Sequence, residues 1–325
     1  MSYVTGHDTA ATHVPRPTSA SALEDDMDGL DSWWLRQGVL QPAPLSAAQD
    51  CDGADMISTA ELFEPADPPV LRNGATRRPA EGQLKMVCAR MLMLAGHWDR
   101  ALGQLEVAAC LDAHASLLAH TYRGLIYGER TRAAVFAGQS SPGVLGGTKP
   151  WLAQLVTSLS LDRQGHTAWA TELRVDAFEV APQVRGSVNG SEFATIVDAD
   201  SRLGPVLEVI VGGSYYWAPF ACIQQIKIHQ PGNARDLLWL PAEFTWRTGE
   251  QSTGFIPVRY PGSEHSEEGS IRLGRTTHWQ PMGEGCYTGL GQRQLTSDTA
   301  RIGITDVRTL SFATITESDR SPAGA

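Results

Sequence analysis

Asp198 and Asp200 are the residues of this 325-residue chain whose types and spacing best suit chemistry. They end the apolar run Thr195-Ile196-Val197 as an Asp-Ala-Asp sequence. Carboxylates placed so, at the end of a strand, suit a covalent nucleophile with a Mg²⁺ ion beside it. The competing reading is structural. Short Asp and Ser side chains bond the backbone of turns, and Arg202 is close enough in sequence to pair with one carboxylate. On a partly buried turn, that pair would fix the junction between the segments on either side.

The Asp-x-Asp end resembles the first motif of the haloacid-dehalogenase-type phosphatases. The resemblance implies attack on phosphorus by Asp198 and handling of the leaving group by Asp200, around Mg²⁺. That chemistry needs a doubly wound α/β sheet with crossover helices, a later lysine and a distal acidic pair. Only Lys227 follows Asp200, within the strand-like run IQQIKI, and no long crossover helix is recognisable after it. A Mg²⁺-dependent phosphatase is therefore the second reading. Other chemistries fail sooner. His114 and His120 lie six residues apart and point to different faces of one helix. There is no HExxH, no Cys/His zinc spacing, no Gly-x-Ser-x-Gly and no phosphate loop. The glycine-rich stretch from Gly283 to Gly291 reads as a bed of turns, because it does not open a helix after a strand. The sequence thus assigns no catalytic set, no cofactor, no metal and no small-molecule substrate, and the chain reads as a non-enzyme.

Bulk properties exclude further classes. A formal net charge of -10 argues against nucleic acid and anionic membrane surfaces, which select a basic footprint. No run of 18 apolar residues is present to span a bilayer. The first residues lack the basic and apolar regions of a secretory signal, so a cytoplasmic protein is expected. Cysteines 51, 88, 110, 222 and 286 are far apart and read as reduced thiols.

The elements that must position Asp198 and Asp200 divide the chain at that point. Residues 1–80 hold eight of the 19 prolines and little periodicity, and read as a mostly disordered extension. Within them, Leu23 to Leu35 is acidic and ends in the adjacent Trp33 and Trp34. This island reads either as a linear motif that folds on a partner or as a tethered segment packed on its own body. Residues 81–182 carry helical spacing. Leu84, Val87, Cys88, Met91 and Leu92 are the expected buried face of a first helix. Gly96, Trp98, Ala101, Leu105 and Ala108 resemble the second half of a tetratricopeptide repeat. One long helix is expected over Ala113 to Phe136, with Leu117, Leu118, Tyr122, Leu125 and Ile126 inward and Arg123, Glu129, Arg130 and Arg132 wet. Pro150 opens another helix at its favoured first-turn position. A second partial repeat follows from Gly165 to Pro182, with Arg174 in place of a large apolar residue and Leu173 expected to cover for it.

Residues 183–315 read as short strands punctuated by glycine and proline, as in a small barrel or strongly bent sheet; residues 316–325 are a tail. Expected strands are 192–197, 206–211, 214–220, 223–228, 237–240, 242–247, 255–259, 271–273 and 307–313. Gly212-Gly213 joins two of them as a tight hairpin, whose turn needs positive φ at both central residues. Tyr215, Tyr216 and Trp217 read mainly as core, with Tyr216 as the one facing away. Beside Arg259 and Tyr260, an exposed Tyr216 would form a partner patch. The expected fold is thus α+β: a tetratricopeptide-like stack of helical hairpins followed by a compact β-rich domain.

DADSRLGPVLE (198–208) followed by Tyr215-Tyr216-Trp217-Ala218-Pro219-Phe220 is similar to the TagJ or ImpE family, accessory proteins of the bacterial type VI secretion system. Arg235-Asp236-Leu237 with Trp239-Leu240-Pro241-Ala242 extends the likeness, as do Arg259-Tyr260-Pro261-Gly262-Ser263-Glu264 and Gly289-Leu290-Gly291-Gln292-Arg293. It covers roughly Gln83 to Phe312. The resemblance implies a non-catalytic cytoplasmic adaptor that binds a helical segment of the small contractile-sheath subunit and so bears on sheath recycling by the unfoldase ClpV. Asp198, Asp200, Arg202, Tyr216, Trp217, Arg259 and Tyr260 are the candidate signature or partner-binding residues. The family's N-terminal helices have no recognisable counterpart before Glu81. If those helices form the groove, this chain either binds differently or uses the tail that carries Trp33 and Trp34.

Overall fold

The computed structural model describes residues 77–231, 234–283 and 285–313; Trp33 and Trp34 lie outside them. Among the described residues five helices come first: α1 (Arg77–Leu94), α2 (Trp98–Leu111), α3 (Ala113–Phe136), α4 (Pro150–Arg163) and α5 (Thr167–Val180). They form the hairpins α1–α2 and α4–α5, with the long α3 between. Gly96 ends α1 at φ 73° and Gly165 ends α4 at φ 82°, a conformation that costs glycine little. Ala101, Leu105 and Ala108 of α2 are fully buried.

The strands are β1 (Gly143–Val144), β2 (Gly186–Val188), β3 (Ser191–Phe193), β4 (Ile196–Asp198), β5 (Val206–Val211), β6 (Ser214–Pro219), β7 (Ile223–Ile228), β8 (Trp239–Trp246), β9 (Gln251–Pro257), β10 (Thr277–Gly283), β11 (Cys286–Gly291), β12 (Gln294–Ser297), β13 (Arg301–Gly303) and β14 (Thr309–Phe312). The one-turn helix α6 (Gly269–Arg272) lies between β9 and β10. Nine strands make the main sheet in the order β1-β6-β5-β9-β8-β7-β14-β2-β3. The β1–β6 pair is parallel and the others are antiparallel. β10 and β11 form a hairpin, and β13-β12-β4 a small second sheet.

Alternation along the strands sends side chains to two cores. Val206 and Ile210 of β5, Tyr215 and Trp217 of β6, Trp239 of β8 and Phe255 of β9 join the helices in one core. Leu207, Val209, Ala218, Leu240, Ala242 and Phe244 face the other way. There they meet Val188, Phe193, Leu310 and Phe312 from the far end of the same sheet. Phe312 contacts both Phe220 and Phe193, with ring centroids 5.6 and 6.1 Å apart. The sheet therefore bends back over its own inner face while its outer face carries the helical layer. The helices and sheet form an α+β fold.

Several expectations are corrected here. α1 buries Gly82, Met86, Ala89 and Met93, whereas Leu84, Val87 and Met91 are 61%, 46% and 55% exposed and Cys88 is exposed. Both sets have three–four spacing, so periodicity does not choose between them. Leu117 of α3 is exposed, and Arg132 and Glu129 turn inward. Arg174 fills the position left for a large apolar residue itself and is fully buried. The expected strands 237–240 and 242–247 are one strand, β8, because Pro241 sits in a position the ladder tolerates. Residues 271–273 fall in and after α6 rather than in a strand, and the supposed turn bed holds β11.

Candidate functional site

The Asp198–Asp200 segment lies at the end of β4, and both carboxylates are fully buried. Asp200 is clamped by Arg202, whose Nε donates to Oδ1 at 2.9 Å and whose Nη2 donates to Oδ2 at 2.6 Å. Oδ2 also accepts from Thr288 Oγ1 at 3.1 Å and from the Gly289 amide at 3.0 Å. Burial alone would raise the Asp200 pKa, but Arg202 overrides it and holds the carboxyl below its ordinary value. The expected pairing of Arg202 is thus present, and it ties the turn to β11.

Asp198 belongs to a larger lattice. Its Oδ2 accepts from Arg293 Nη1, and its Oδ1 accepts from Tyr260 Oη at 2.9 Å and from the Asp200 amide at 2.9 Å. Arg293 also donates through Nη2 to Glu208 Oε2 and through Nε to the Pro257 carbonyl at 3.1 Å. Glu208 lies mid-strand on β5, on the face that meets the helices. Arg132 of α3 grips it with two prongs, Nε to Oε1 at 2.7 Å and Nη2 to Oε2 at 2.9 Å. Tyr215 Oη donates to the same Oε1 and in turn accepts from Trp217 Nε1 at 2.7 Å. Arg132 Nη2 also reaches the Arg259 carbonyl at 2.6 Å. Glu129 accepts from Arg132 Nη1 at 3.3 Å and from Trp239 Nε1 at 2.8 Å.

Opposite charges face one another throughout this cluster. Arg132, Arg202 and Arg293 stand against Glu129, Asp198, Asp200 and Glu208, and Arg259 lies in the field of Glu129 and Glu264. Buried charges persist only when paired and hydrogen-bonded. Burial pushes Glu208 upward, but Arg132 and Arg293 outweigh it and bring the carboxyl down to about 2. At Asp198 burial wins over Arg293, and the carboxyl rises to about 6. Burial also lifts the Tyr215 and Tyr260 hydroxyls well above their ordinary range, helped by Glu208 and Asp198 respectively. All six oxygens of Asp198, Asp200 and Glu208 accept hydrogen bonds.

The signature residues therefore converge inward. Arg259 is 5% exposed and Tyr260 fully buried, so they cannot form a surface patch with Tyr216. Arg259 instead donates to the carbonyls of Leu94 and Arg272, joining the end of α1 to α6. Tyr216 is half-buried on the opposite side of β6 from Trp217, where it packs against the second core. The reason is the two-sided burial of β6, which leaves no free face for an aromatic.

The β4 segment also lacks the surroundings of a phosphatase. β4 pairs antiparallel with β12, and among the described residues only the four-residue α6 and short 3-10 turns follow it, none of them a crossover helix. Sequence reasoning missed Glu208 and Arg132. The available signal was Glu208 itself, a lone charge within the apolar run VLEVIV, on the same strand face as Val206 and Ile210. Such a residue requires a buried cation from another element.

Arg174 lies outside this lattice. It pairs with Asp162 of α4, yet its Nε and Nη1 make no hydrogen bond among the described residues. Burial lowers its pKa to about 10. No group of residues able to hold a metal ion occurs among the described residues. None of the described helices is long and apolar enough to cross a membrane.

The family described as ImpE protein matches residues 190–311. The type VI secretion system accessory component TagJ of Pseudomonas aeruginosa is 39% identical over 242 residues, which cover 74% of this chain and 85% of that protein. The crystal structure of protein VPA1032 from Vibrio parahaemolyticus has the same fold, with a TM-score of 0.67 at 24% identity, covering 73% of this chain and 88% of that one. Asp198, Glu208, Arg259, Tyr260 and Arg293 fall inside the matched family segment, whereas their partner Arg132 lies before it.

Proposed function

The chain belongs to the ImpE/TagJ family, and from that premise we propose that it is a non-catalytic accessory component of a type VI secretion system, an adaptor acting in the cytoplasm. The observation that carries this reading is the saturation of Asp198, Asp200 and Glu208 by arginine, tyrosine, threonine and backbone donors. Carboxylates so engaged hold a scaffold together and have no oxygen left for substrate or Mg²⁺. The working surface is then sought outside them. The helical layer leaves Tyr127, Trp169 and Val180 at 50%, 60% and 63% exposure. Large apolar side chains on helices suit an amphipathic helix as partner.

The partner that family membership favours is a helical segment of the small sheath subunit, with an indirect effect on recycling by ClpV. The test is co-purification of the full-length chain with the small sheath subunit encoded in its own gene cluster. Wild-type protein is expected to retain the subunit, and Trp169→Asp to lose it without a change in melting temperature. Failure of the wild-type chain to bind would overturn the partner. Mg²⁺-dependent turnover of p-nitrophenyl phosphate that disappears in Asp198→Asn would overturn the non-catalytic reading.

A further inference from the structure

We propose that the outer face of α1 is a docking seam for residues 23–35 of the same chain. α1 is apolar on two opposite sides. Gly82, Met86, Ala89 and Met93 face the core, while Leu84, Val87, Cys88 and Met91 repeat at i, i+3, i+4 and i+7 on the far side. A helix that is apolar on two opposite sides suits a place between two layers. The described residues supply only the inner one, and the outer seam carries side chains 46–61% exposed.

Three properties of the chain select the occupant. The first is pattern. Leu23, Met27, Leu30 and Trp34 recur at steps of four, three and four, the spacing of a helical seam that can interlock with that of α1. The second is charge. Residues 23–35 carry Glu24, Asp25, Asp26, Asp28 and Asp31 and no base, whereas α1 carries Arg77, Arg78 and Lys85 against the single acid Glu81; its fourth base, Arg90, is buried and bonded to Tyr122. The third is reach. Residues 36–76 separate the two segments. At no more than about 3.3 Å per residue, a tether of roughly 40 residues can still reach well past the roughly 27 Å of an 18-residue helix. A tether of this kind presents its motif at an effective concentration on the order of millimolar. A free helix of the same pattern must exceed that concentration to take the seam.

Cys88 lies within the seam and reports its cover, and the exposed Cys110 on α2 is the internal reference. Full-length protein is labelled with N-ethylmaleimide and each cysteine is followed by peptide mass spectrometry. Cys88 is expected to react at least about tenfold more slowly than Cys110, a protection that corresponds to mostly closed seam. Leu30→Asp with Trp34→Asp should bring Cys88 up to the Cys110 rate. Leu84→Asp with Met91→Asp, both at exposed positions, should do the same from the other side of the contact. The protection should not depend on protein concentration. The proposal is overturned if Cys88 reacts as fast as Cys110 in the wild-type chain, or if neither pair of substitutions changes its rate. Protection that grows with concentration would assign the seam to a second copy and equally overturn it.

Discussion

Gly124 of α3 and Gly213 of the β5–β6 turn meet backbone to backbone: a Cβ on Gly124 would lie 2.9 Å from the Gly213 Cα. One turn further along α3, a Cβ on Gly128 would lie 2.8 Å from Ile210 Cδ1. The two glycines let α3 sit directly on the hairpin, and this places Arg132 over Glu208. Gly124→Ala must push backbone against backbone. We expect a loss of about 1–3 kcal/mol, the usual range for overpacking, read as a lower urea midpoint. Unchanged stability would mean that α3 can lift off the hairpin freely.

Removing one side of the Arg132–Glu208 contact leaves a buried charge short of its closest partner, although Glu208 keeps Arg293 and Arg132 keeps Glu129. Arg132→Ala and Glu208→Ala are each expected to cost about 3–5 kcal/mol. The double variant should cost less than the sum, because the second substitution removes the charge that the first leaves under-paired. Strict additivity in a urea double-mutant cycle would refute the coupling.

Asp198 and Glu208 give opposite pH dependences. Glu208, held at about 2, contributes stability above its ordinary pKa that is lost as pH falls towards 2. Asp198, raised to about 6, contributes stability below its unfolded value near 4 that is lost as pH rises through 6. Asp198→Asn keeps the shape and abolishes the second effect. The wild-type advantage over this variant should shrink by on the order of 3 kcal/mol between about pH 4 and about pH 7. Parallel stability profiles over that range would show that Asp198 does not hold its proton in the folded state.

Arg174 is the contrasting case. It is as buried as Arg132 but leaves two nitrogens without partners among the described residues. Its replacement by an unbranched apolar side chain removes a desolvated cation that is poorly repaid. Arg174→Met is therefore expected to be neutral or stabilising by about 1 kcal/mol, where Arg132→Met is strongly destabilising. A thermal melt of both variants distinguishes the two sites, and a large loss for Arg174→Met would mean that its pair with Asp162 carries real stability.

Much of this fold is written locally. The long α3 follows from uninterrupted apolar spacing, and Gly212-Gly213 marks its hairpin, with φ 56° and 75° in the turn. What local pattern does not carry is choice of face. α1 has two apolar stripes, and only the presence of α2 and α3 on one side decides which is buried. The lattice was half-legible for the same reason. Asp200–Arg202 is two residues apart and shows in the local sequence; Arg132–Glu208 spans 76 residues, and no periodicity records it. Burial of Arg259 and Tyr260 depends on β12 and α6 closing over them, elements too short or irregular to leave a strong signal. The tryptophans at 33 and 34 lie outside the described residues.

β1 is two residues long, yet it occupies the β6 edge of the main sheet, with Gly143 and Val144 paired to Tyr216 and Trp217. An unguarded strand edge is a template for a neighbouring chain. The strand behind this one is Ser214–Pro219, among the most aromatic in the molecule, and without its cover it would be a starting point for fibrous association. At the opposite end the sheet finishes in the three residues of β3, where Glu192 is exposed. One border is thus sealed by a loop borrowed from the helical layer, and the other is too short and too charged to recruit a stranger, so the sheet stays finite when many copies are crowded together.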